Sequence, residues 1–262
     1  MAKFLSLFSS SSGNCHYIES GNTAILIDAG KSAKQIALAL KSRGIDPDGI
    51  SAMFVTHEHG DHVCGVRVFS SRHNVPVYAT EGTAAGMRYH GYTDSKTPVH
   101  VIDGETKVGD LTIIPFPTSH DTLEPCGYTV ICADGKKIAL CTDLGIMTRE
   151  VSAALKGSDL VLIESNHEFS MLMNGPYPYP LKRRIAGEKG HLNNDDCAAE
   201  VVKLVKNGTK KILLGHLSKE NNTPENAYQT TLAALESAGF KAGEDFTLAV
   251  LPPENTKKAV EL

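Results

Sequence analysis

The feature that most constrains this chain is the motif HEHGDH at residues 57–62, which places four metal-binding side chains within six residues. An apolar MFV run shortly precedes the motif, so we expect it in the loop that ends a buried strand. Residues two apart in an extended segment point the same way, so His57 and His59 can hold one ion while Asp61 and His62 turn toward another. Such ligands favour Zn, Mn or Fe over Ca or Mg. The alternative is a histidine-rich, solvated turn.

Composition places the chain among ordinary globular proteins, because 41% of its 262 residues are hydrophobic and 21% are charged. A net charge of -4 gives no general attraction to polyanions, so nucleic-acid binding requires a local basic patch. The six cysteines form no CxxC pair, which favours buried, reduced thiols and a cytoplasmic location. The apolar stretch near the amino terminus is too short for a signal peptide, and no membrane-spanning run is expected.

Strand and helix patterns alternate without a low-complexity linker, which predicts one α/β domain over residues 1–262. We predict strands at residues 23–28, 50–56, 76–80, 111–119, 160–164, 211–214 and 246–250, and a hairpin at 127–141. We predict helices at residues 32–42, 195–206 and 224–237. Residues 18–30 and 130–145 both resemble hairpins that end in Asp-x-Gly. This repeat suggests two similar halves packed sheet to sheet as a four-layer αβ/βα sandwich, with a site along the shared edge.

Three further ligand candidates follow predicted strands. His120 follows the strand at residues 111–119, Asp143 follows the second strand of the hairpin, and His216 follows the strand at 211–214. Each alone is equally compatible with a structural histidine or a helix-capping aspartate. Together with the HEHGDH motif they predict a pair of metal sites.

The order HxHxDH, His, Asp and His resembles the metallo-β-lactamase superfamily over nearly the whole chain. The resemblance implies the following ligands: His57, His59 and His120 for one ion, Asp61, His62 and His216 for the other, and Asp143 as the bridge. Asp28 matches the first aspartate of the superfamily, which braces the motif loop through hydrogen bonds.

Position 143 distinguishes classes within this superfamily. Cysteine there is typical of lactam-cleaving members, whereas aspartate is typical of phosphodiesterases and several other members, and this chain has Asp143. Cys141 lies two residues earlier and shares the face of Asp143 if the strand continues. We interpret it as a small buried thiol and leave a ligand role open.

Glu164 and His191 resemble the relay of tRNase Z-type phosphodiesterases, in which a glutamate orients a histidine that protonates the leaving oxygen. Such a relay needs an anion beside the imidazole, because the anion keeps the ring charged near neutral pH. The alternative makes Glu164 a surface residue and His191 a residue at the start of a helix.

The motifs SLFSSSSGNC, ESNHE, GHLNND and GHLSKENNTPE resemble the YycJ/WalJ family of small bacterial metallo-β-lactamase-fold proteins. This resemblance implies a manganese-dependent 5′-to-3′ DNA exonuclease activity. His167 lies within ESNHE and contacts substrate, binds an extra metal or packs structurally; the sequence does not separate these roles.

Two segments are candidates for substrate binding. Residues 174–184 appear in the sequence as a Pro-rich loop in which Tyr177 or Tyr179 can stack on a base. The cations that can hold phosphates there are Lys182, Arg183, Arg184 and Lys189. A solvated surface loop is the alternative. The serine-rich turn at residues 9–14, which includes Ser11 and Asn14, either cradles a terminal phosphate or is a plain tight loop.

The sequence therefore predicts a dinuclear-metal phosphodiesterase, a nuclease of the 5′-to-3′ DNA exonuclease type that uses a metal-bridging hydroxide. Its expected catalytic residues are Asp61, Glu164 and His191. The expected cofactors are two divalent ions, Zn or Mn with Fe as a third option, and the expected partner is DNA rather than RNA or a membrane. The alternatives are hydrolysis of a small thioester, lactone or lactam on the same fold, or a metal-stabilised binding protein. The oligomeric state is left open.

Overall fold

A computed structural model describes residues 1–256 and 258–262, and in this part of the chain two mixed sheets face each other. The first sheet has the spatial order β14 (Val260–Glu261), β1 (Lys3–Phe8), β2 (Cys15–Ser20), β3 (Thr23–Ile27), β4 (Ala52–Phe54), β5 (Val77–Ala79) and β6 (Val99–Val101). The second has the order β13 (Thr247–Val250), β12 (Lys211–Gly215), β11 (Leu160–Glu164), β10 (Lys137–Cys141), β9 (Cys126–Ile131), β8 (Leu111–Pro117) and β7 (Thr106–Val108).

Helices connect the parallel strands. In the first half they are α1 (Ala33–Lys41), α2 (Gly60–Val63), α3 (Val66–His73) and α4 (Glu81–Tyr89). In the second half they are α5 (Arg149–Leu155), α6 (Phe169–Asn174), α7 (Tyr179–Ile185), α8 (Asn194–Lys206) and α9 (Pro224–Ser237). Side chains cap several of them at the start: the Ser32 hydroxyl accepts from the Gln35 N–H before α1, and Thr223 caps α9 in the same way.

The two sheets repeat one pairing pattern. In the first, β1, β2 and β3 are antiparallel neighbours and β3 to β6 are parallel. In the second, β8, β9 and β10 are antiparallel and β10 to β13 are parallel. The predicted repeat of residues 18–30 and 130–145 is thereby confirmed, since β2–β3 and β9–β10 occupy equivalent places in the two halves.

Alternating side chains along each central strand divide the core into layers. In β3, Ile25 and Ile27 enter the core between the two sheets, whereas Leu26 packs with Ile36 of α1 on the outer side. The second sheet shows the same division, with Leu162 of β11 facing inward. Strands buried on both faces require continuous apolar runs, which is what the sequence shows there. The αβ/βα four-layer sandwich is therefore confirmed.

The segment at residues 174–184 differs from the prediction of a loop. Residues Tyr179–Ile185 form helix α7, in which Pro180 occupies the first turn. A first-turn proline is compatible with a helix because its missing N–H has no intrahelical acceptor there. The strand predicted at residues 50–56 is also shorter, since β4 spans only Ala52–Phe54. Val55 and Thr56 then lead into the motif loop.

Cys64 is exposed and the other five cysteines are buried, and all six thiols are unpaired. The prediction of buried thiols was therefore wrong for Cys64, which ends the short helix α2 at the surface. Among the described residues, none of the helices combines the length and apolar character that crossing a bilayer requires.

Candidate metal centre

The predicted ligands meet at one edge of the sandwich. Strands β3 and β4 are parallel neighbours, and β8 runs in the same direction as β10, β11 and β12. Their carboxyl-terminal ends therefore lie along a common edge of each sheet. The functional candidates that follow these ends are Asp28, the HEHGDH motif, His120, Asp143, Glu164 and His216.

The backbone is strained at this edge. Of the described residues other than glycine, four have a positive φ, and three of these lie here: Asp28 (φ 64°), Asp143 (φ 59°) and His216 (φ 54°). Such conformations cost roughly 1–3 kcal/mol each and persist where the surrounding structure imposes them. Asp28 and Asp143 occupy equivalent positions in the two halves, so both halves end their central hairpin in the same turn.

His57, His59 and His120 form one group of possible metal donors, with donor atoms all within 4.8 Å of one another. The Nε2 atom of His120 lies 3.2 Å from Nδ1 of His59. The other nitrogen of His120 bonds the Gly190 carbonyl at 3.0 Å, which fixes the ring and leaves Nε2 facing the group.

Asp61, His62 and His216 form a second group within the same 4.8 Å limit. Oδ2 of Asp61 lies 3.6 Å from Nε2 of each of the two histidines. Asp143 stands between the groups, because its Oδ2 is 3.2 Å from His62 Nε2 and its Oδ1 is 3.8 Å from His120 Nε2.

Unpartnered atoms in this cluster fit divalent cations. His57 Nε2, Asp143 Oδ2 and His216 Nε2 are buried and make no hydrogen bond to any described residue. A buried polar atom without a partner costs about 1–3 kcal/mol, so a protein rarely leaves three together. Imidazole nitrogens and carboxylate oxygens at this spacing suit the coordination of divalent metal ions.

Asp28 braces the motif loop, as the sequence predicted. Its carboxylate accepts from the N–H of Thr56 at 2.8 Å and from Nδ1 of His62 at 2.8 Å. The Thr56 hydroxyl donates to Asp28 at 2.9 Å and lies 3.0 Å from His57 Nδ1, so it can accept from that ring. Asp28 therefore orients one histidine directly and another through Thr56. The sequence signal for Thr56 was only its position immediately before the motif.

Glu164 is fully buried, which excludes the alternative of a surface residue. Its Oε1 accepts from His191 Nδ1 at 2.9 Å and from His216 Nδ1 at 2.7 Å. Its Oε2 accepts from the N–H groups of Leu192 at 2.9 Å and Leu144 at 3.3 Å. Both oxygens are therefore fully used, so this carboxylate braces two histidines. The bond to His216 has no sequence signal, since only the fold places His216 beside the relay.

In this cluster, burial and the neighbouring carboxylates shift the pKa values of the histidines in opposite directions. Burial lowers the pKa of His57 well below its usual value. Burial also disfavours charge on His62, yet Asp143 and then Asp28 raise its pKa well above the usual value. For His216, burial again disfavours the charged ring, but Asp143 and other acidic neighbours raise the pKa to about 10. A divalent cation competes with these protons, so metal affinity depends on pH.

His191 lies beside both donor groups. Its ring centroid is 5.1 Å from that of His120 and 5.4 Å from that of His216. Burial disfavours its charged form, but Glu164 and then Asp143 raise its pKa. The geometry of the predicted relay is therefore present, with the imidazole held by an anion. Cys141, by contrast, packs in the outer core near α8, where burial raises its pKa well above the usual value.

The cations of α7 have different surroundings. Arg184 forms a forked ion pair with Asp121, at 2.6 and 3.1 Å, and Oδ1 of Asp121 lies 3.5 Å from His120 Nε2. Lys182 donates to the Met173 carbonyl at 2.7 Å and is half-buried. Arg183 is exposed and has no ion pair with any described carboxylate.

The remaining substrate candidates lie on two other segments. Ser11 is exposed on the serine-rich turn, but Asn14 is fully buried. The Asn14 side-chain amide donates to the Ser10 carbonyl at 3.1 Å and its backbone N–H donates to the Asp61 carbonyl at 2.8 Å, so it fastens the turn to the motif. His167 is buried with both ring nitrogens unpartnered, and burial lowers its pKa to about 4. Within the described residues it belongs to none of the donor groups.

Comparison with known proteins agrees with this geometry. A sequence profile described as the beta-lactamase superfamily domain matches residues 23–217. The exodeoxyribonuclease WalJ of Streptococcus pneumoniae serotype 2 is 37% identical over 265 residues, which cover 99% of this chain and 98% of WalJ. The exodeoxyribonuclease YycJ of Bacillus anthracis is 36% identical over 258 residues, or 97% of each chain. The crystal structure of the metallo-beta-lactamase fold protein YhfI from Bacillus subtilis shares the fold, with a TM-score of 0.74 over all of both chains at 13% identity. The chain therefore belongs to the beta-lactamase superfamily and, within it, to the family of the exodeoxyribonucleases WalJ and YycJ.

Proposed function

We propose that this protein is a dinuclear-metal phosphodiesterase that removes nucleotides from DNA in the 5′-to-3′ direction. The observation that carries the proposal is the Glu164–His191 pair beside two groups of largely buried candidate metal donors. A phosphodiester needs charge neutralisation and a proton for its leaving oxygen, and this arrangement supplies both. Two relatives that match the chain almost end to end are named exodeoxyribonucleases, which supports DNA over RNA.

The ligand proposal follows two of the four overlapping donor groups among the described residues. His57, His59 and His120 would hold one ion, Asp61, His62 and His216 would hold the other, and Asp143, which lies between the two groups, would serve both. Zinc or manganese fits these nitrogen and oxygen donors, and iron is the third choice. When bound, such ions lower the pKa of water and neutralise phosphate charge.

His191 is the proposed proton donor. Its Nδ1 is held by Glu164 at 2.9 Å, so the opposite nitrogen, Nε2, is left to face the substrate. Burial disfavours the charged ring, but Glu164 raises its pKa and so favours the protonated form, and the side chain remains 17% exposed. The proton passes from Nε2 to the 3′ oxygen that leaves. Asp61, whose side chain is 25% exposed, orients the attacking water.

Substrate contacts are proposed on and after α7. Arg183 and Lys189 are exposed and have no ion pair with described carboxylates, so they can bind phosphates of the strand. Tyr179, which is 69% exposed, offers a ring on which a base can stack. Arg184 is already paired with Asp121 and holds α7 close to His120.

Hydrolysis of a small thioester, lactone or lactam is the less favoured activity. Asp143 occupies the position where lactam-cleaving members typically carry cysteine, and a thioester has no need of the buried Glu164–His191 pair. We place the protein in the cytoplasm, since all six cysteines are unpaired, as is usual in a reducing compartment.

The test is hydrolysis of end-labelled single- and double-stranded DNA and RNA by protein loaded with manganese or zinc. We expect stepwise release of nucleotides from the 5′ end of DNA. His191→Asn should abolish release, whereas His90→Asn, at an exposed histidine that ends α4, should not. Turnover of a lactone or nitrocefin without any cleavage of DNA would refute the proposal.

A further inference from the structure

A cavity of about 340 Å³ opens beside the metal centre, between the serine-rich turn and the segment that follows β12. The turn contributes Ser10, Ser11 and Ser12, and the facing segment contributes Leu217 and Lys219. Small-molecule pockets span about 300–1,000 Å³, so this cavity has room for one small ligand rather than for an oligomer.

Two contacts join the serine-rich turn, which forms one wall of the cavity, to the proposed ligands. The hydroxyl of Ser9 accepts from the N–H of His216 at 3.0 Å. At the far end of the same turn, beyond the residues that line the cavity, the backbone N–H of Asn14 donates to the Asp61 carbonyl at 2.8 Å. The turn that forms one wall of the cavity is therefore held to Asp61 and His216 of one donor group. The cationic segment after α7 instead reaches the other group, through the bond between the Gly190 carbonyl and His120.

The cavity has a polar side and an apolar side. One side is formed by Ser10, Ser11 and Ser12, with the Ser10 and Ser12 hydroxyls 2.9 Å apart, and Lys219 is exposed and pairs with no described carboxylate. Lys31 adds a second cation at this turn, since its Nζ donates to the Ser12 hydroxyl at 3.1 Å. The remaining lining includes apolar side chains: Leu217, Pro224, Leu251 and Pro253. Hydroxyls and ammonium groups bind phosphate, and apolar walls bind the face of a base.

We propose that this cavity binds the terminal nucleotide of the strand, with its 5′ phosphate on the serine turn and Lys219 and its base against the apolar wall. This assignment rests on the proposed function and explains why cleavage starts at an end. The His191 ring, 5.4 Å from that of His216, then lies near the 3′ oxygen of the bound nucleotide. Water adds across the bond between phosphorus and that oxygen. The released nucleotide gains a 3′ hydroxyl, and the shortened strand gains a new 5′ phosphate of the same chemistry.

The binding test uses deoxyadenosine 5′-monophosphate and deoxyadenosine, titrated calorimetrically into the protein in EDTA so that metal affinity plays no part. We expect only the monophosphate to bind, and Lys219→Gln to weaken it about fivefold, as for an exposed ion pair. Ser11→Tyr should block binding by filling the mouth of the cavity. Lys107→Gln is the matched control. Lys107 lies on β7 opposite Thr112, near the start of β8 and away from the edge that carries the site. Equal binding of nucleotide and nucleoside, or no effect of Ser11→Tyr, would overturn the assignment.

A second measurement separates this assignment from the nuclease proposal. On metal-loaded protein, we expect 5′-phosphorylated DNA to be degraded at least about fivefold faster than 5′-hydroxyl DNA, and Lys219→Gln to reduce that preference. Cleavage that is indifferent to the 5′ group would overturn the cavity assignment and leave the nuclease intact. Monophosphate binding that Ser11→Tyr blocks, without cleavage of any DNA, would refute the nuclease and keep the cavity as a nucleotide site.

Discussion

Replacing Glu164 with glutamine tests how one buried carboxylate supports both the proposed proton donor and a proposed metal ligand. The carboxylate accepts four hydrogen bonds, two of them from His191 and His216. A carboxamide has one acceptor atom and two N–H donors. In Glu164→Gln, the N–H groups of the amide therefore face N–H donors of the surrounding residues on one side. The substitution also removes the negative charge that favours protonated His191.

The size of the effect follows from the pKa of Glu164. Burial opposes its ionisation, yet His191 and then His216 lower the pKa from the usual 4.5 to about 2. At about 1.4 kcal/mol per pKa unit, the cluster favours the ionised form by about 3 kcal/mol. Because the folded-state pKa is depressed, this stabilisation is complete above about pH 4.5 and is lost as the pH falls toward 2. At pH 7 the substitution should lower Tm by about 6–12 °C.

Two assays separate stability from catalysis. Thermal unfolding in EDTA reports the loss of stability, and DNA hydrolysis at saturating manganese reports turnover, which we expect to fall by two to four powers of ten. Glu200→Gln is the matched control, since Glu200 is buried on α8 and accepts from Lys203, away from the site. Wild-type turnover by Glu164→Gln at saturating metal, with Tm unchanged, would refute the proposed role of Glu164.

Three further substitutions test separate parts of the centre. His191→Ala should leave metal content near normal while turnover falls by roughly two to four powers of ten, and equal losses of both would show that the residue holds metal instead. Asp143→Ala should abolish DNA cleavage while the circular dichroism spectrum is retained, and unchanged cleavage by a metal-checked variant would contradict its place between the ions. Asp28→Ala should weaken metal binding about 10–100-fold by freeing His62 and Thr56, as measured by competition with a chelator. Wild-type metal affinity in Asp28→Ala would show that the hydrogen bonds of Asp28 do not support metal binding.

The sequence predicted the parts of the fold that depend on local pattern. Leu160–Glu164 and Pro224–Ser237 have the predicted bounds, because apolar runs and capping residues mark them. Helix α7 was missed, since its prolines suggested a loop and only the structure shows Pro180 in the first turn. Short edge strands such as β6 and β14 carry little apolar signal, so their pairing depends on the rest of the sheet.

The site was predictable where ligands are dense in sequence and less so where they are joined by folding. The dense HEHGDH motif and the ends of predicted strands indicated the candidate donors, including His120, Asp143 and His216, and the structure brings these side chains together. The bond from His216 to Glu164 spans 52 residues, and the bond from Ser9 to His216 spans 207. Contacts of that sequence separation leave no local pattern, so the shared role of Glu164 and the cavity beside His216 required the structure.

The most direct test of a dinuclear phosphodiesterase is the rate of nucleotide release from 5′-labelled DNA while manganese is titrated into chelator-treated protein. Two donor groups joined by Asp143 predict a rate that rises mainly with the second equivalent and then stays constant. A full rate at one equivalent per chain, or no release at any ratio, would contradict the proposed two-metal centre.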